Sequence, residues 1–250
     1  MQHHIEPTEK WTEIEHLPEW DEEFYDVYTA KKFGKWVMLK TLKPEYKDKK
    51  AFRDMLEREF EVRYNLAHSH IIMINDLEEV PELGLCIITD DVYGDSLAKL
   101  IAKNEVTPEI VRKIAHDLVG AIDYLQTNHI VHYPIRRETV IFTEKIFNLK
   151  VIDVGFDQKQ ALAPTDVTDD IRAFGHVLTA ALDACNGMAA AEQQRLRAIA
   201  DKCTGSSPYS SVQQLQLAIS GSSDRRLYIG VIGFLTVMVA ILSLIIIFRP

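Results

Sequence analysis

The stretch His129–Phe156, HIVHYPIRRETVIFTEKIFNLKVIDVGF, decides how the rest of the chain is read. Ile130-Val131-His132 is a short apolar run. Val140-Ile141-Phe142 and Leu149-Lys150-Val151-Ile152 are two more, separated by the polar turn Thr143–Asn148. Runs of this length, rich in branched and aromatic residues, predict strands, and the intervening turn predicts a hairpin. The stretch closes on Asp153-Val154-Gly155.

Outward from it, the 250 residues carry a net charge of -9 and are 47% apolar, enough for a substantial core. The acidic balance excludes a nucleic-acid partner, because a phosphate backbone selects basic surfaces. The three cysteines, Cys86, Cys185 and Cys203, have neither metal-ligand nor paired spacing and are expected as free thiols in a reducing compartment. The N-terminus MQHHIEPTEKW lacks the basic and apolar regions of a secretory signal.

The order of short motifs resembles the eukaryotic-type protein kinases. His132-Tyr133-Pro134-Ile135-Arg136-Arg137-Glu138-Thr139-Val140 falls on that family's catalytic loop, and Asp153-Val154-Gly155 on its Asp-Phe-Gly motif. Trp36-Val37-Met38-Leu39-Lys40 is similar to Val-Ala-Ile-Lys, so Lys40 falls on the phosphate-pairing lysine. Glu59, nine residues before His68, falls on the glutamate that pairs with it. Ile71–Leu77 and Leu83–Thr89 are predicted as two further strands around the turn Pro81–Gly84, and Thr107–Thr127 as a long amphipathic helix with Pro108 at its first position. Thr89 falls at the gatekeeper, Asp90-Asp91-Val92 at the hinge, and Tyr93-Gly94-Asp95-Ser96-Leu97 resembles the entry to the next helix. Asp170, in Thr168–Gly175, matches the aspartate that opens a long buried helix.

The resemblance implies an α+β, bilobal kinase-like fold. Residues 12–92 form a five-stranded antiparallel N-lobe and residues 93–220 a trimmed helical C-lobe, after a disordered 1–11. It also implies a vestigial nucleotide site of Lys40, Glu59, Thr89 and Asp153, with Asp153 the candidate Mg²⁺ ligand. Pro134 stands in place of the catalytic Asp and Thr139 in place of the metal-binding Asn. The first predicted loop has no glycine before Gly34 and is acidic, with Glu13, Glu15, Glu19, Asp21, Glu22 and Glu23. A phosphate-cradling loop uses glycines so that backbone N–H groups can approach the anion. This one offers carboxylates, and an ordinary solvated acidic turn accounts for the same residues. Met38, in place of alanine, is expected to fill part of the adenine pocket. The stretch between Asp153 and Thr168 is short for a protein-substrate platform.

No catalytic residue and no bound cofactor are therefore expected. The reading is a pseudokinase acting as a protein-binding or scaffold module. An active atypical protein kinase using ATP and Mg²⁺, and a nucleotide-sensing kinase-like domain, are the alternatives. Lys43, Lys47, Lys49, Lys50 and Arg53 form a basic cluster read as a solvated helix start.

After a linker at 221–226, Leu227–Phe248 runs LYIGVIGFLTVMVAILSLIIIF without a charge. Twenty-two residues at 1.5 Å each reach roughly 33 Å, a bilayer core. A single-pass C-terminal transmembrane anchor is expected. Arg225-Arg226 on the domain side favour a cytoplasmic domain, although Arg249 weakens the bias. The expected partners are the membrane and a protein on the cytosolic side. Gly230 and Gly233 would let two spans pack as a homodimer, although their spacing is not Gly-x-x-x-Gly.

Overall fold

The computed structural model describes residues 10–131, 135–144, 147–152 and 157–221. The N-terminal part is a five-stranded antiparallel sheet built from β1 (Trp11–His16), β2 (Tyr25–Lys32), β3 (Lys35–Leu42), β4 (Ile74–Val80) and β5 (Gly84–Asp90), in the order β1-β2-β3-β5-β4. Strand side chains alternate between faces. Val37 and Leu39 of β3 therefore join Ala30, Cys86 and Ile88 in one apolar layer. Leu42 of β3, on the other face, joins Tyr25, Ile87 and Leu56 under helix α1 (Lys50–Tyr64). Met38 and Lys40 share that second face by the same alternation.

Three expected boundaries move. Trp11, assigned above to a disordered N-terminus, is the first residue of β1 because its ring packs against the Ala30–Val37–Ile88 layer. Residues 1–9 lie outside the described residues. The strand expected at Ile71–Leu77 begins only at Ile74. Ile71 and Ile72 are used elsewhere, in a main-chain stitch to the C-lobe. Val151 N–H donates to His70 C=O at 2.8 Å and Ile72 N–H to Val151 C=O at 3.0 Å. The helix expected to open near Thr168 already begins at Pro164. Asp166 in its first turn accepts from Ala163 N–H at 2.8 Å, and Pro164 suits a position whose N–H has no helical partner.

The C-lobe is helical around one large apolar core. β6 (Gly94–Ser96) leads into α2 (Leu97–Ala102), where the Ser96 hydroxyl caps Lys99 N–H. Gly94 is required there, since a Cβ would sit 2.0 Å from Phe142 O on the paired strand. The expected long helix over Thr107–Thr127 exists as α3 (Pro108–Lys113) and α4 (Val119–Thr127), joined by one π-helical stretch, Ile114–Leu118. β7 (Ile130–Val131), β8 (Val140–Thr143), β9 (Leu149–Val151) and β10 (Asp157–Gln158) follow. β6, β8 and β9 form one small antiparallel sheet, and β7 pairs with β10. α5 (Pro164–Ala184) is the central helix, packed on α6 (Ala190–Thr204), and α7 (Val212–Ser220) closes the lobe.

The predicted span Leu227–Phe248 lies outside the described residues. Among the described residues no helix is long and apolar enough to cross a membrane.

Candidate functional site

A cleft of about 390 Å³ opens between the lobes. Its roof comes from β2 and β3, through Val27, Met38 and Lys40. Its floor comes from Ile152 and the turn Arg136–Thr139, and the loop after β1 supplies Glu19, Trp20, Asp21 and Glu22.

Lys40 is the electrostatic centre. Its ammonium lies 3.1 Å from Glu59 Oε1 and 2.8 Å from Glu22 Oε2, and 4.2 Å from the centroid of the Tyr25 ring. The expected Lys40–Glu59 pair is therefore made, and a second carboxylate joins it. α1 brings a further cation: Arg63, one turn after Glu59, donates from Nη1 to Glu59 Oε1 at 2.6 Å. Glu59 is 2% exposed and Arg63 4%. Burial alone would push the Glu59 carboxyl up, but Lys40 and Arg63 outweigh it and hold the group below the usual carboxylate range. One Glu59 oxygen, Oε2, and the Arg63 Nε are buried without a hydrogen-bond partner among the described residues.

The loop that delivers Glu22 is fixed by Asp21. Its Oδ1 accepts from Val27 N–H at 3.0 Å and lies 3.0 Å from His16 Nε2. Asp26 completes a three-residue group with these two, the only such group among the described residues with metal-ligand geometry. Since Asp21 Oδ1 is already spent on the backbone and on His16, the group acts as a staple for the loop.

Met38 closes the other end of the cleft. It is 8% exposed and packs in one cluster with Val27, Ile72, Val92 and Ile141, so apolar side chains of both lobes and of the connector meet there. The connector residues Asp90, Asp91 and Val92 line a separate depression with Lys35, Trp36 and Lys150. Thr89 lines the cleft, opposite Met38 in the strand register, and its hydroxyl donates to Asp90 C=O at 3.2 Å.

Thr139 is buried, and its hydroxyl is consumed locally: it accepts from Arg136 N–H and donates to Arg136 C=O, both at 3.0 Å. It thus locks a turn and has no proton left to donate. Pro134 and Asp153 lie outside the described residues. Of the predicted site, Lys40, Glu59, Thr89 and Thr139 are thus placed: Lys40 and Thr89 in the cleft wall, Thr139 on the floor, and Glu59 behind Lys40, outside the cleft lining.

Two contributors were missed in the sequence. Arg63 was findable, because a residue four after Glu59 on a helix shares its face. Glu22 was visible only as one of several acidic residues, and nothing in the spacing singles it out for Lys40.

The chain matches the family model "Protein kinase domain" over residues 23–170. It is 26% identical over 134 residues to CBL-interacting serine/threonine-protein kinase 20 of Arabidopsis thaliana, covering 53% of this chain and 30% of that protein. It is 30% identical over 105 residues to serine/threonine-protein kinase kin-29 of Caenorhabditis briggsae, covering 42% and 13%. The chain thus spans a third or less of these relatives' lengths. Among solved structures, the Mycobacterium tuberculosis PknI kinase domain superposes with a TM-score of 0.62 at 20% identity, covering 86% of this chain and 96% of that one. At that identity the likeness speaks for the fold.

Proposed function

The chain belongs to the protein kinase domain family, and from that premise we propose a member without phosphotransfer, a pseudokinase that serves as a membrane-tethered binding or scaffold module. The observation that carries this reading is Lys40 held between Glu22 at 2.8 Å and Glu59 at 3.1 Å. A phosphate-binding lysine needs one counter-charge to orient it and must keep attraction to spare for the nucleotide. Here the chain supplies a second carboxylate. Like charges repel by about 4 kcal/mol at ~4 Å and moderate dielectric, so an incoming phosphate has to expel Glu22. Met38 opposes the base end of a nucleotide in the same way, by joining the apolar cluster that closes the cleft. A triphosphate with its Mg²⁺ does not fit these residues.

The sequence adds support. Pro134 has no proton-accepting side chain where the family places its base, and the Thr139 hydroxyl is tied to its own turn. Each ~1.4 kcal/mol of lost transition-state stabilisation slows a reaction tenfold, and positioning supplies most of the stabilisation in phosphoryl transfer. The apolar run Leu227–Phe248 supports the membrane tether, and Arg225-Arg226 support a cytosolic face where a protein partner would dock.

One observation favours a second reading, an active kinase of unusual design or a nucleotide sensor: the Lys40–Glu59 pair is intact, and Asp153-Val154-Gly155 is retained. Radiolabelled ATP with the purified chain, beside an Asp153→Ala control, separates the two. No incorporation above the control is expected. Label that disappears in the control would establish phosphotransfer and remove the pseudokinase reading.

A further inference from the structure

α7 closes the folded domain just before the apolar run Leu227–Phe248, and its surface is unlike that of the other helices. It buries Val212, Leu215 and Ile219 but turns Leu217 outward at 75% exposure, the highest of any large apolar side chain among the described residues. An exposed leucine alone is ordinary. This one sits on the only helix among the described residues with no charged side chain. The whole stretch Cys203–Ser223 is uncharged, in a chain that is 26% charged. Leu217 also stands beside the point where the chain leaves the domain. Gly221 N–H donates to Leu217 C=O at 3.2 Å, and Arg195 Nη1 of α6 donates to Ile219 C=O at 2.7 Å, so the last turn of α7 is held in place. From Gly221 to Leu227 six residues of chain remain, with a reach of at most about 21 Å. For residues 10–221 the usual scaling gives a radius of gyration of about 17 Å, hence a domain some ~40 Å across. The tether is shorter than the domain is wide, and the headgroup layer takes up about 5–7 Å of it. With Leu227–Phe248 in a bilayer, the end of α7 has to lie close to the lipid.

We propose that the exposed face of α7, centred on Leu217, is a lipid-docking surface: it rests on the headgroup layer, with the Leu217 side chain at the headgroup–acyl boundary and Arg225-Arg226 on lipid phosphates. The charge distribution selects this face. Residues 224–250 hold three arginines and one aspartate, a net +2, so residues 1–223 carry -11 of the total -9. Such a domain is repelled by an anionic leaflet, and it approaches most easily through a patch without carboxylates. At the exit the charge is cationic, through Arg195, Arg225 and Arg226. Glu192, one turn before Arg195, is engaged by Arg112 in two hydrogen bonds of 2.8 Å. An apolar side chain among uncharged polar ones, flanked by arginines, is the pattern of a helix face lying in the interface. Docked in this way, the domain keeps one orientation on its tether. The inference rests on the membrane tether proposed above.

The test uses the full chain, with leucine methyl groups isotopically labelled, in nanodiscs of about 3:1 phosphatidylcholine to phosphatidylserine. A lipid carrying a nitroxide near the top of its acyl chain is added and methyl signals are followed by NMR. The Leu217 methyls are expected to lose more than about half their intensity, and those of Leu39 and Leu42 in the N-lobe sheet less than about a tenth. Leu217→Asp leaves the tether length unchanged. It is expected to at least about halve the broadening of the Leu215 methyls beneath it, while the core signals of Leu125 and Leu178 stay in place. Broadening at Leu215 that Leu217→Asp does not change would mean proximity through the tether alone and overturn the proposal. Leu217 shielded from a water-soluble nitroxide yet untouched by the lipid-borne one would make a second copy the occupant, and also overturn it. The two readings fail differently. A chain that stays out of the nanodiscs removes the tether and this inference with it. A chain embedded in them with silent Leu217 methyls removes this inference alone.

Discussion

At Lys40 one ammonium faces two carboxylates, and one of them, Glu59, also faces a guanidinium. The result is a chain of alternating charge, Glu22–Lys40–Glu59–Arg63, that runs from the loop into the buried face of α1. Because Glu59 is almost fully buried, removing a cation leaves an undercompensated charge, which costs several kcal/mol when a buried pair is broken. Arg63 still covers one side of it. Lys40→Met is therefore expected to cost about 2 kcal/mol in urea unfolding, less than the roughly 3–5 kcal/mol of a buried pair left with no other counter-charge. The pH dependence follows with a definite sign. The folded-state value of Glu59 is depressed, so its contribution is complete above the ordinary glutamate value of about 4.3 and is lost as pH falls through the lower folded value. Lys40→Met should shrink this acid-side loss. A variant as stable as the parent across the acid range would show that the pair does not hold α1.

At the scale of elements, the segment between α1 and β4 is tied to α4 by aromatic and main-chain contacts. The His68 ring stacks on Tyr124 at 5.0 Å, the Tyr124 hydroxyl accepts from Ala67 N–H at 2.9 Å, and His70 Nδ1 lies 3.1 Å from Leu149 O. Burial first, then His70 and Lys150, push the His68 value down. Asp117, 3.9 Å from His70 Nε2, is the one carboxylate ion-paired to this histidine pair among the described residues. A lowered histidine value means the folded chain binds fewer protons than the unfolded one. Stability from this contact is thus full above about pH 6.5 and declines as pH falls below it. The urea midpoint is expected to drop between pH 7.5 and 5.5. His68→Phe, which keeps a ring against Tyr124 but cannot be protonated, should flatten that part of the slope. An unchanged slope would exclude His68 as its source.

For the molecule as a whole, the two lobes are unequal. The C-lobe core is one continuous cluster that takes in Ile114, Leu118, Ile122, Phe142, Phe174 and Leu178, and it extends to Leu66 and Ile71 from the N-lobe side. The N-lobe divides its apolar residues between the two faces of a single sheet. Local opening is easiest where few apolar contacts are lost. In hydrogen-exchange mass spectrometry, amides of α4 and α5 are expected to be protected longest, and those of β1 and β2 to exchange first. Equal protection in both lobes would contradict this division. The same asymmetry explains what was legible in the sequence. The hairpin Val140–Val151, the helix with Pro108 near its start and the lysine strand ending at Lys40 each carry a local pattern, period two or a cap, that reports their own structure. Lys40 and Glu59 could be paired because each sits in a motif of known order. Glu22 could not, because its partner lies eighteen residues on and the contact depends on how Asp21 pins the loop to Val27. Ile71 and Ile72 read as strand because they are β-branched, yet their backbone is recruited by Val151, a residue some eighty positions away that no local window includes.

That recruitment has a mechanical consequence. The hydrogen bonds from Val151 N–H to His70 C=O and from Ile72 N–H to Val151 C=O fix the chain just beyond the C-terminal end of α1, so this end behaves as a fulcrum. At 1.5 Å per residue, Glu59 stands about 7.5 Å from Tyr64, and Lys50 about 21 Å. A tilt of the helix about its anchored end therefore displaces the Lys50 tip about three times as far as it displaces Glu59. Force applied at the exposed tip works on the Lys40–Glu59 contact with roughly threefold leverage.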